Sequence, residues 1–224
     1  KIFVIDNLSV GKKSNLSKKV KFIKNDILKI DKIKFKQKID VIIHLAALAE
    51  IVIPKDKEGV YYKSNIIGLQ KVLNFASKNK IKKFIFASSA SVYGDTRNKR
   101  VKENFPLMPQ HYYAYTKYIG EKMVRSYCSV NSINFIILRF FNVYGQGQIL
   151  NNLKQGMIRI FLTQIFRNNN LIVKGSLKRF RDFIHIEDVN KILSKVVGNK
   201  NCINKIFNVG YGRKYLISDV LNII

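Results

Sequence analysis

Long apolar runs that alternate with helical patterns constrain the fold of this chain most strongly. Residues 41–47, 84–87 and 134–140 are almost entirely apolar, as strands buried on both faces of a sheet are. Between them, residues 59–80 and 112–130 repeat their apolar side chains with a helical period. Strands that alternate with helices in this way predict an α/β fold with a doubly wound parallel sheet.

The predicted strands end in residues that could form one shared site. In a doubly wound sheet, ligands bind beyond the carboxyl ends of the strands. Asp6, Asp26, Ala46, Ser89 and Asn142 all fall at such ends. We therefore expect a ligand site along this edge of the sheet.

A serine, a tyrosine and a lysine suggest acid–base chemistry at that edge. Tyr113 and Lys117 are four residues apart and share one face of the predicted helix, and Ser89 ends the preceding strand. A free tyrosine titrates near pH ~10, and an ammonium one turn away favours the phenolate and lowers that pKa. Together the three side chains could remove a proton from an alcohol as hydride leaves its carbon. Alternatively, the tyrosine packs against the helix, the lysine is solvated and the serine belongs to a turn.

Composition limits the class of protein. With 224 residues, 47% of them hydrophobic, the chain can bury one sizeable core and suits one domain, or one domain with a smaller lobe. Two distant cysteines, Cys128 and Cys202, and three scattered histidines provide no metal-binding framework. No apolar run reaches membrane-spanning length, so we expect a cytoplasmic protein without a membrane partner.

The formal net charge of +27 permits two interpretations. A polyanion such as nucleic acid could be the partner, or the composition could reflect a bias toward Lys, Asn and Ile. The lysines are spread along the chain, and aromatic residues do not interleave with them as in a stacking surface. We therefore consider a nucleic-acid partner unlikely, although the positive field would attract a pyrophosphate substrate.

Seven segments together carry a resemblance to a known family. The chain resembles the extended short-chain dehydrogenase/reductases, and within them the NAD-dependent nucleotide-sugar epimerases of the UDP-glucose 4-epimerase type. The segments are Asp-Asn-Leu-Ser at residues 6–9, His-Leu-Ala-Ala at 44–47, Asn-Ile-Ile-Gly at 65–68, Ser-Ser-Ala-Ser-Val-Tyr-Gly at 88–94, Tyr-Ala-Tyr-Thr-Lys at 113–117, Leu-Arg-Phe-Phe-Asn-Val-Tyr-Gly at 138–145 and Arg-Asp-Phe-Ile-His at 181–185.

The resemblance implies a Rossmann-type sheet with a small C-terminal substrate lobe. Residues 1–145 would form the NAD-binding domain and residues 146–224 part of the substrate lobe, with a strand at 182–186 that could return to the Rossmann sheet. None of the twelve glycines forms a G-x-G-x-x-G phosphate loop. Relatives carry that loop upstream of the Asp6 strand, so we expect one more strand–loop–helix unit before residue 1 and more of the lobe after residue 224.

The resemblance also assigns site residues. Asp6 would bind the adenosine ribose and disfavour a 2′-phosphate, which indicates NAD, although Lys12 and Lys13 could accept a phosphate. The implied catalytic residues are Ser89, Tyr113 and Lys117. The implied NAD-binding residues are Asp6, Asn7, Asp26, Ile27, Leu45, Ala46, Ala47, Asn65, Tyr113, Lys117 and Phe141. The implied substrate-binding residues are Ser89, Tyr113, Asn142, Asn152, Leu153 and Arg181.

The implied activity is inversion at C4 of a UDP-linked hexose through a 4-keto intermediate. A 4,6-dehydratase or decarboxylase of the same superfamily is an alternative, but Ala90 and Ser91 supply no carboxylate after the catalytic serine. A non-catalytic nucleotide- or polyanion-binding protein is a second alternative. The resemblance also implies a homodimer, in which residues 59–80 and 112–130 could form a four-helix contact.

Overall fold

The computed structural model describes residues 1–96, 99–148, 156–168 and 170–224. Asn152 and Leu153, both predicted to bind substrate, lie outside the described residues. No helix in the described part is long and apolar enough to cross a membrane.

The described strands are β1 (Phe3–Asp6), β2 (Lys21–Lys24), β3 (Val41–His44), β4 (Lys83–Ser89), β5 (Asn134–Phe140), β6 (Asn142–Tyr144), β7 (Phe180–Arg181), β8 (Phe183–His185), β9 (Lys205–Val209) and β10 (Tyr215–Leu216). The described α-helices are α1 (Glu58–Tyr62), α2 (Gly68–Lys78), α3 (Tyr112–Val130), α4 (Met157–Asn168), α5 (Ile186–Gly198) and α6 (Ile217–Ile223).

A four-stranded parallel sheet in the order β3-β4-β5-β9 forms the centre of the molecule. β4 and β5 pair over their whole length, so that Lys83 lies opposite Asn134 and Ser89 opposite Phe140. A second parallel pair joins β1 to β2. The parallel α/β architecture predicted from the alternating pattern is confirmed.

Helices cover both faces of the central sheet. On one face, Phe84 and Phe86 belong to a buried cluster with Leu69 of α2 and Val124 of α3. On the other face, Ile85 belongs to a second cluster, which contains residues of β5 and α5. Successive residues of a strand point to opposite faces, so an unbroken apolar run supplies both layers. The sheet is therefore doubly wound, as predicted.

The strand pairing in the C-terminal part differs from the expectation for residues 182–186. β8 (Phe183–His185) pairs with the short strand β6 and does not join the four-stranded sheet. The strand that joins the sheet is β9, whose Phe207 lies opposite Leu138. Apolar and polar residues do not alternate regularly in the sequence of β9 (Lys-Ile-Phe-Asn-Val). Its place in the sheet follows from its pairing with β5. The division of the chain at residue 145 stays a prediction.

The predicted helix at residues 59–80 contains a π-helical turn at Lys63–Ile67, between α1 and α2. Asn65 in this turn is buried and makes three hydrogen bonds. Its Oδ1 accepts from the Leu48 backbone N–H, and its Nδ2 donates to the Leu48 carbonyl, each at 2.9 Å. Nδ2 also donates to Thr116 Oγ1 at 3.0 Å. Asn65 therefore fixes the loop after β3 to helix α3, and its role in NAD binding stays a prediction.

His44 at the end of β3 should make the fold sensitive to acid. The side chain is 4% exposed, stacks on Phe86 with ring centroids 6.0 Å apart, and has its pKa lowered to about 3 by burial and by the charge of Lys117. The unfolded chain binds this proton near pH ~6.5, so the stabilisation is present above that pH and is lost as the pH falls toward 3.

The variant His44→Phe isolates this effect. At pH 4, the wild-type protein should have lost roughly 3 kcal/mol more of its pH 7 unfolding free energy than the variant. Urea unfolding at both pH values measures the difference. Parallel losses in the two proteins would contradict a buried neutral imidazole.

Candidate active site

Strand β4 ends at Ser89, which also caps the start of a short 3-10 helix at Ala90–Tyr93. Ser89 Oγ accepts from the Ser91 backbone N–H at 3.2 Å and from Ser91 Oγ at 3.0 Å. Gly94 follows with φ +67°, and a Cβ there would collide with the Met108 carbonyl. The glycine lets the chain turn sharply and holds the Ser89 hydroxyl at the edge of the sheet.

Helix α3 brings Tyr113 and Lys117 to the same edge. His111 caps the helix, because its Nδ1 accepts from the Ala114 N–H at 3.3 Å. A side-chain hydrogen bond links Ser89 to Tyr113. Lys117 is buried, donates from Nζ to the Ala87 carbonyl at 2.7 Å, and lies 5.9 Å from the centroid of the Tyr113 ring. The three predicted catalytic side chains therefore meet at one place.

The electrostatics of Tyr113 differ from the expectation. Burial raises the pKa of this phenol to about 12, and the hydrogen bond from Ser89 is the contact that lowers it. Lys117 does not produce the expected decrease, because its ammonium group is directed at the Ala87 carbonyl and the Phe86 ring, 5.0 Å from that ring's centroid. Sequence spacing placed the two residues on one face but could not show where the ammonium group points.

Lys117 itself should make stability rise with pH. Burial lowers its pKa from 10.5 to about 8, although the carboxylate of Glu121 acts in the opposite direction. The folded protein loses this proton near pH 8 and the unfolded chain only near pH 10.5, so folding becomes more favourable across that window.

Comparison with Lys117→Met measures this effect. Between pH 7 and pH 10.5, the unfolding free energy of the wild type should rise by roughly 3 kcal/mol relative to the variant. Chemical denaturation at each pH provides both values. A constant difference between the two proteins would show that Lys117 is not desolvated.

A buried ion pair beneath the catalytic residues was not predicted from the sequence. Arg139 of β5 donates to both carboxylate oxygens of Glu121 on α3, from Nε to Oε1 at 2.9 Å and from Nη2 to Oε2 at 2.7 Å. Both side chains are 3% exposed. Ser88 Oγ donates to Glu121 Oε1 at 2.5 Å. The pair therefore ties the catalytic helix to the ends of β4 and β5.

The network continues toward the loop before α3. Arg139 Nη1 donates to Tyr93 OH and to the Glu103 carbonyl, each at 2.8 Å. Tyr93 OH donates to Asn208 Oδ1 at 2.6 Å. The Asn208 N–H donates to Glu103 Oε1 at 2.8 Å. A charged residue within the apolar run 134–140, and an acidic residue one turn after Lys117, were the signals that sequence reasoning could have used.

One cavity of about 2130 Å³ is lined by eight of the fourteen predicted site residues that the structure describes. The predicted residues that line it are Leu45, Ala47, Ser89, Tyr113, Lys117, Phe141, Asn142 and Arg181. The described residues of the prediction that do not line it are Asp6, Asn7, Asp26, Ile27, Ala46 and Asn65. The three predicted catalytic residues and two predicted substrate-binding residues, Asn142 and Arg181, therefore line the same cavity.

A separate group of predicted cofactor residues lies at the ends of β1 and β2. Asn7 Nδ2 donates to Asp26 Oδ2 at 2.9 Å, and Asp26 Oδ1 accepts from the Leu28 N–H at 2.8 Å. Asp6 Oδ1 accepts from the Leu8 N–H at 2.6 Å. Ile27 packs against Gly68 of α2. Asp6 and Asp26 thus lie at strand ends, as predicted. Each carboxylate also accepts a hydrogen bond from a backbone N–H of the loop that follows its strand.

Two predicted substrate-binding residues, Asn142 and Arg181, make hydrogen bonds to the backbone of neighbouring residues. Asn142 Nδ2 donates to the Asp182 carbonyl at 2.8 Å and strengthens the β6–β8 pairing. Arg181 Nη1 donates to the Phe180 carbonyl at 2.9 Å, and burial, with repulsion from Arg179, lowers its pKa. Asp182 accepts from the N–H groups of Tyr211 and Gly212 at 2.8 and 2.9 Å. Asp182 is therefore a structural residue.

A doubly wound sheet with a serine, a tyrosine and a lysine at one cavity is the arrangement of the extended short-chain dehydrogenase/reductases. The chain belongs to the NAD-dependent epimerase/dehydratase family, whose sequence model matches residues 1–210.

Three known proteins illustrate its similarities. A putative UDP-glucose 4-epimerase of Methanocaldococcus jannaschii is 34% identical over 100% of this chain and 73% of its own length. A UDP-glucose 4-epimerase from Thermotoga maritima, solved with UDP-glucose, superposes with a TM-score of 0.89 at 28% identity, over 98% of this chain and 72% of that one. A dTDP-D-glucose 4,6-dehydratase of Dictyostelium discoideum is 28% identical over 85% of this chain but only 46% of its own length.

Proposed function

We propose that this protein is an NAD-dependent epimerase that inverts C4 of a UDP-linked hexose through a transient 4-keto sugar. The observation that carries the proposal is the shared cavity, in which the Ser89–Tyr113–Lys117 set lies on the same surface as Asn142 and Arg181. A group able to move a proton from an alcohol therefore faces the same cavity as the half-buried cation Arg181, which is suited to a diphosphate.

Different residues of the chain transfer the proton, supply positive charge and bind the diphosphate. Tyr113 takes the proton of the C4 hydroxyl, and Ser89 hydrogen-bonds the sugar oxygen and relays that proton. Burial raises the pKa of Tyr113, so formation of the phenolate needs positive charge nearby. Lys117, whose Nζ lies 5.9 Å from the centroid of the Tyr113 ring, supplies that charge once its ammonium group turns away from the Ala87 carbonyl. Arg181 and Asn142 bind the nucleotide diphosphate and so orient the sugar toward Tyr113.

The residues at the adenosine end fit NAD. Asp6 ends β1, and its Oδ1 atom accepts a hydrogen bond from the Leu8 N–H. A Cβ at position 11 would lie 3.4 Å from the other carboxylate oxygen, Oδ2, so Gly11 leaves that oxygen accessible. A ribose diol could bind there. Bound NAD would accept the C4 hydride and return it to the opposite face of the sugar. Lys117 and Tyr113 would lie at the nicotinamide end.

A 4,6-dehydratase is the second candidate, because a relative of that name matches most of this chain. Elimination of water across C5 and C6 needs an additional acid or base near those carbons. The residues that follow Ser89 are Ala90 and Ser91, which carry no carboxylate. The geometry therefore favours epimerisation. A homodimer, and the absence of a nucleic-acid partner, stay predictions.

Proton NMR in D₂O distinguishes the two candidates. The protein is incubated with NAD and either UDP-glucose or UDP-N-acetylglucosamine. We expect the C4 epimer, with no deuterium at C4 or C5, because hydride transfer does not exchange with solvent. A 4-keto-6-deoxy product carrying deuterium would establish the dehydratase. A third outcome, no turnover of either sugar with salt-sensitive RNA binding, would support a polyanion-binding protein instead.

A further inference from the structure

Arg159 is a buried cation whose hydrogen-bonding capacity is largely unused. It is the third residue of helix α4 and is 7% exposed. Its Nε and Nη2 atoms are buried without a hydrogen-bond partner in the part of the chain that the structure describes. Burial lowers its pKa. A buried guanidinium without a counter-ion is strongly unfavourable, so its retention requires an explanation.

The position of Arg159 connects it to the proposed site. The side chain lines the same cavity as Ser89, Tyr113 and Arg181. Helix α4 begins at this point, because the Ile160 N–H donates to the Gly156 carbonyl at 2.9 Å. No acidic residue lies in the first turn of the helix. The N-terminus of α4 therefore adds its partial positive charge to that of Arg159.

Three acidic residues line the cavity, Asp95, Glu103 and Asp182, and the last two accept hydrogen bonds from backbone groups. Glu103 accepts from the Asn208 N–H, and Asp182 accepts from two backbone N–H groups. A second lining cation, Arg179, already donates to the carbonyls of Ser176 and Lys174 at 2.9 and 2.6 Å. Arg159 differs from Arg179, because its Nε and Nη2 atoms have no hydrogen-bond partner among the residues that the structure describes and could therefore bind a ligand.

Building on the proposed function, we infer that Arg159 binds the diphosphate of the nucleotide sugar, together with Arg181 and the N-terminus of α4. A diphosphate carries two negative charges and many acceptor oxygens, which suit two guanidinium groups and a helix end. A neutral sugar hydroxyl could not compensate the charge of a buried arginine. A sugar carboxylate could, and the experiment separates the two sources.

The test uses Arg159→Met, which keeps much of the side-chain volume, and Arg159→Lys, which keeps the charge. Calorimetry measures binding of UDP, uridine and UDP-glucuronic acid to each protein. We expect UDP to bind at least about tenfold more weakly to the methionine variant, the lysine variant to be intermediate, and uridine to bind equally to all three. Without ligand, the methionine variant should melt about 2 to 4 °C higher than the wild type, because an uncompensated charge has been removed.

Three results would overturn the inference. UDP affinity that is unchanged in Arg159→Met would exclude a phosphate contact. Equal losses for UDP and uridine, with a lower melting temperature, would indicate a structural role. A loss seen only with UDP-glucuronic acid would assign Arg159 to a sugar carboxylate. If the wild-type protein binds no UDP at all, the proposed function itself fails, and this outcome is distinct because it needs no variant.

Discussion

Replacing Tyr113 with phenylalanine is expected to lower kcat for epimerisation roughly a thousandfold while leaving UDP affinity within a few-fold of the wild type. The phenolate oxygen of Tyr113 is the atom that accepts the proton from the sugar, and acid–base groups contribute effects of this size. The ring would keep its packing on α3, so binding and folding should be preserved. Steady-state kinetics with the accepted UDP-hexose, together with calorimetry for UDP, measure the two quantities.

Tyr115 provides the matched control on the same helix. Its side chain is 51% exposed, so Tyr115→Phe should leave both kcat and UDP affinity nearly unchanged. Thermal unfolding of both variants confirms that they remain folded. Should Tyr113→Phe retain a rate close to that of the wild type, proton transfer would not pass through this residue and the proposed mechanism would be wrong.

The second large effect concerns stability. Glu121→Ala should lower the unfolding free energy by about 3 to 5 kcal/mol, because it leaves the Arg139 guanidinium buried without its carboxylate. Ser88 Oγ would also lose the acceptor that it reaches at 2.5 Å. Since a domain of this kind has about 5 to 15 kcal/mol of stability in total, the variant would be close to unfolding. Urea denaturation of the purified protein measures the change.

The double variant Glu121→Leu with Arg139→Met tests whether the loss of stability in Glu121→Ala comes from the unpaired charge of Arg139. Removing both members of a buried pair is often nearly neutral, so the double variant should recover most of the stability lost in Glu121→Ala. The exposed pair Asp40–Lys82, at 3.1 Å, is the control, and Asp40→Ala should have little effect. A small loss in Glu121→Ala, similar to that of the control, would show that the buried pair does not hold α3 against the sheet.

The sequence predicted the central fold because its strands are apolar on both faces. The run at residues 84–87 supplies Phe84 and Phe86 to one layer and Ile85 to the other, so its burial was readable without a structure. The strand β9 was harder to place, because its pairing with β5 depends on contacts made across more than sixty residues of chain. The same reason explains why the sequence left open whether the strand at residues 182–186 joins the central sheet, whereas in the structure β8 pairs with β6.

The site was only partly readable, because spacing reveals which residues share a face but not how polar groups satisfy one another. Tyr113 and Lys117 were placed on one helix face by their separation of four residues. The direction of the Lys117 ammonium group could be known only once the Ala87 carbonyl was located. The raised pKa of Tyr113 could be known only once its burial was established. Arg159 carried no sequence signal, since an arginine at the third position of a helix is ordinarily solvated.

Tracing the hydrogen atom at C4 tests the central claim most directly. UDP-glucose deuterated only at C4 is incubated with the protein and NAD in ordinary water, and the sugar product is analysed by mass spectrometry and NMR. If Tyr113 and NAD act as proposed, the C4 epimer keeps its deuterium one for one, because the same hydride leaves and returns. Product that has exchanged this deuterium for hydrogen, or has lost it in a 4-keto sugar, would contradict the mechanism.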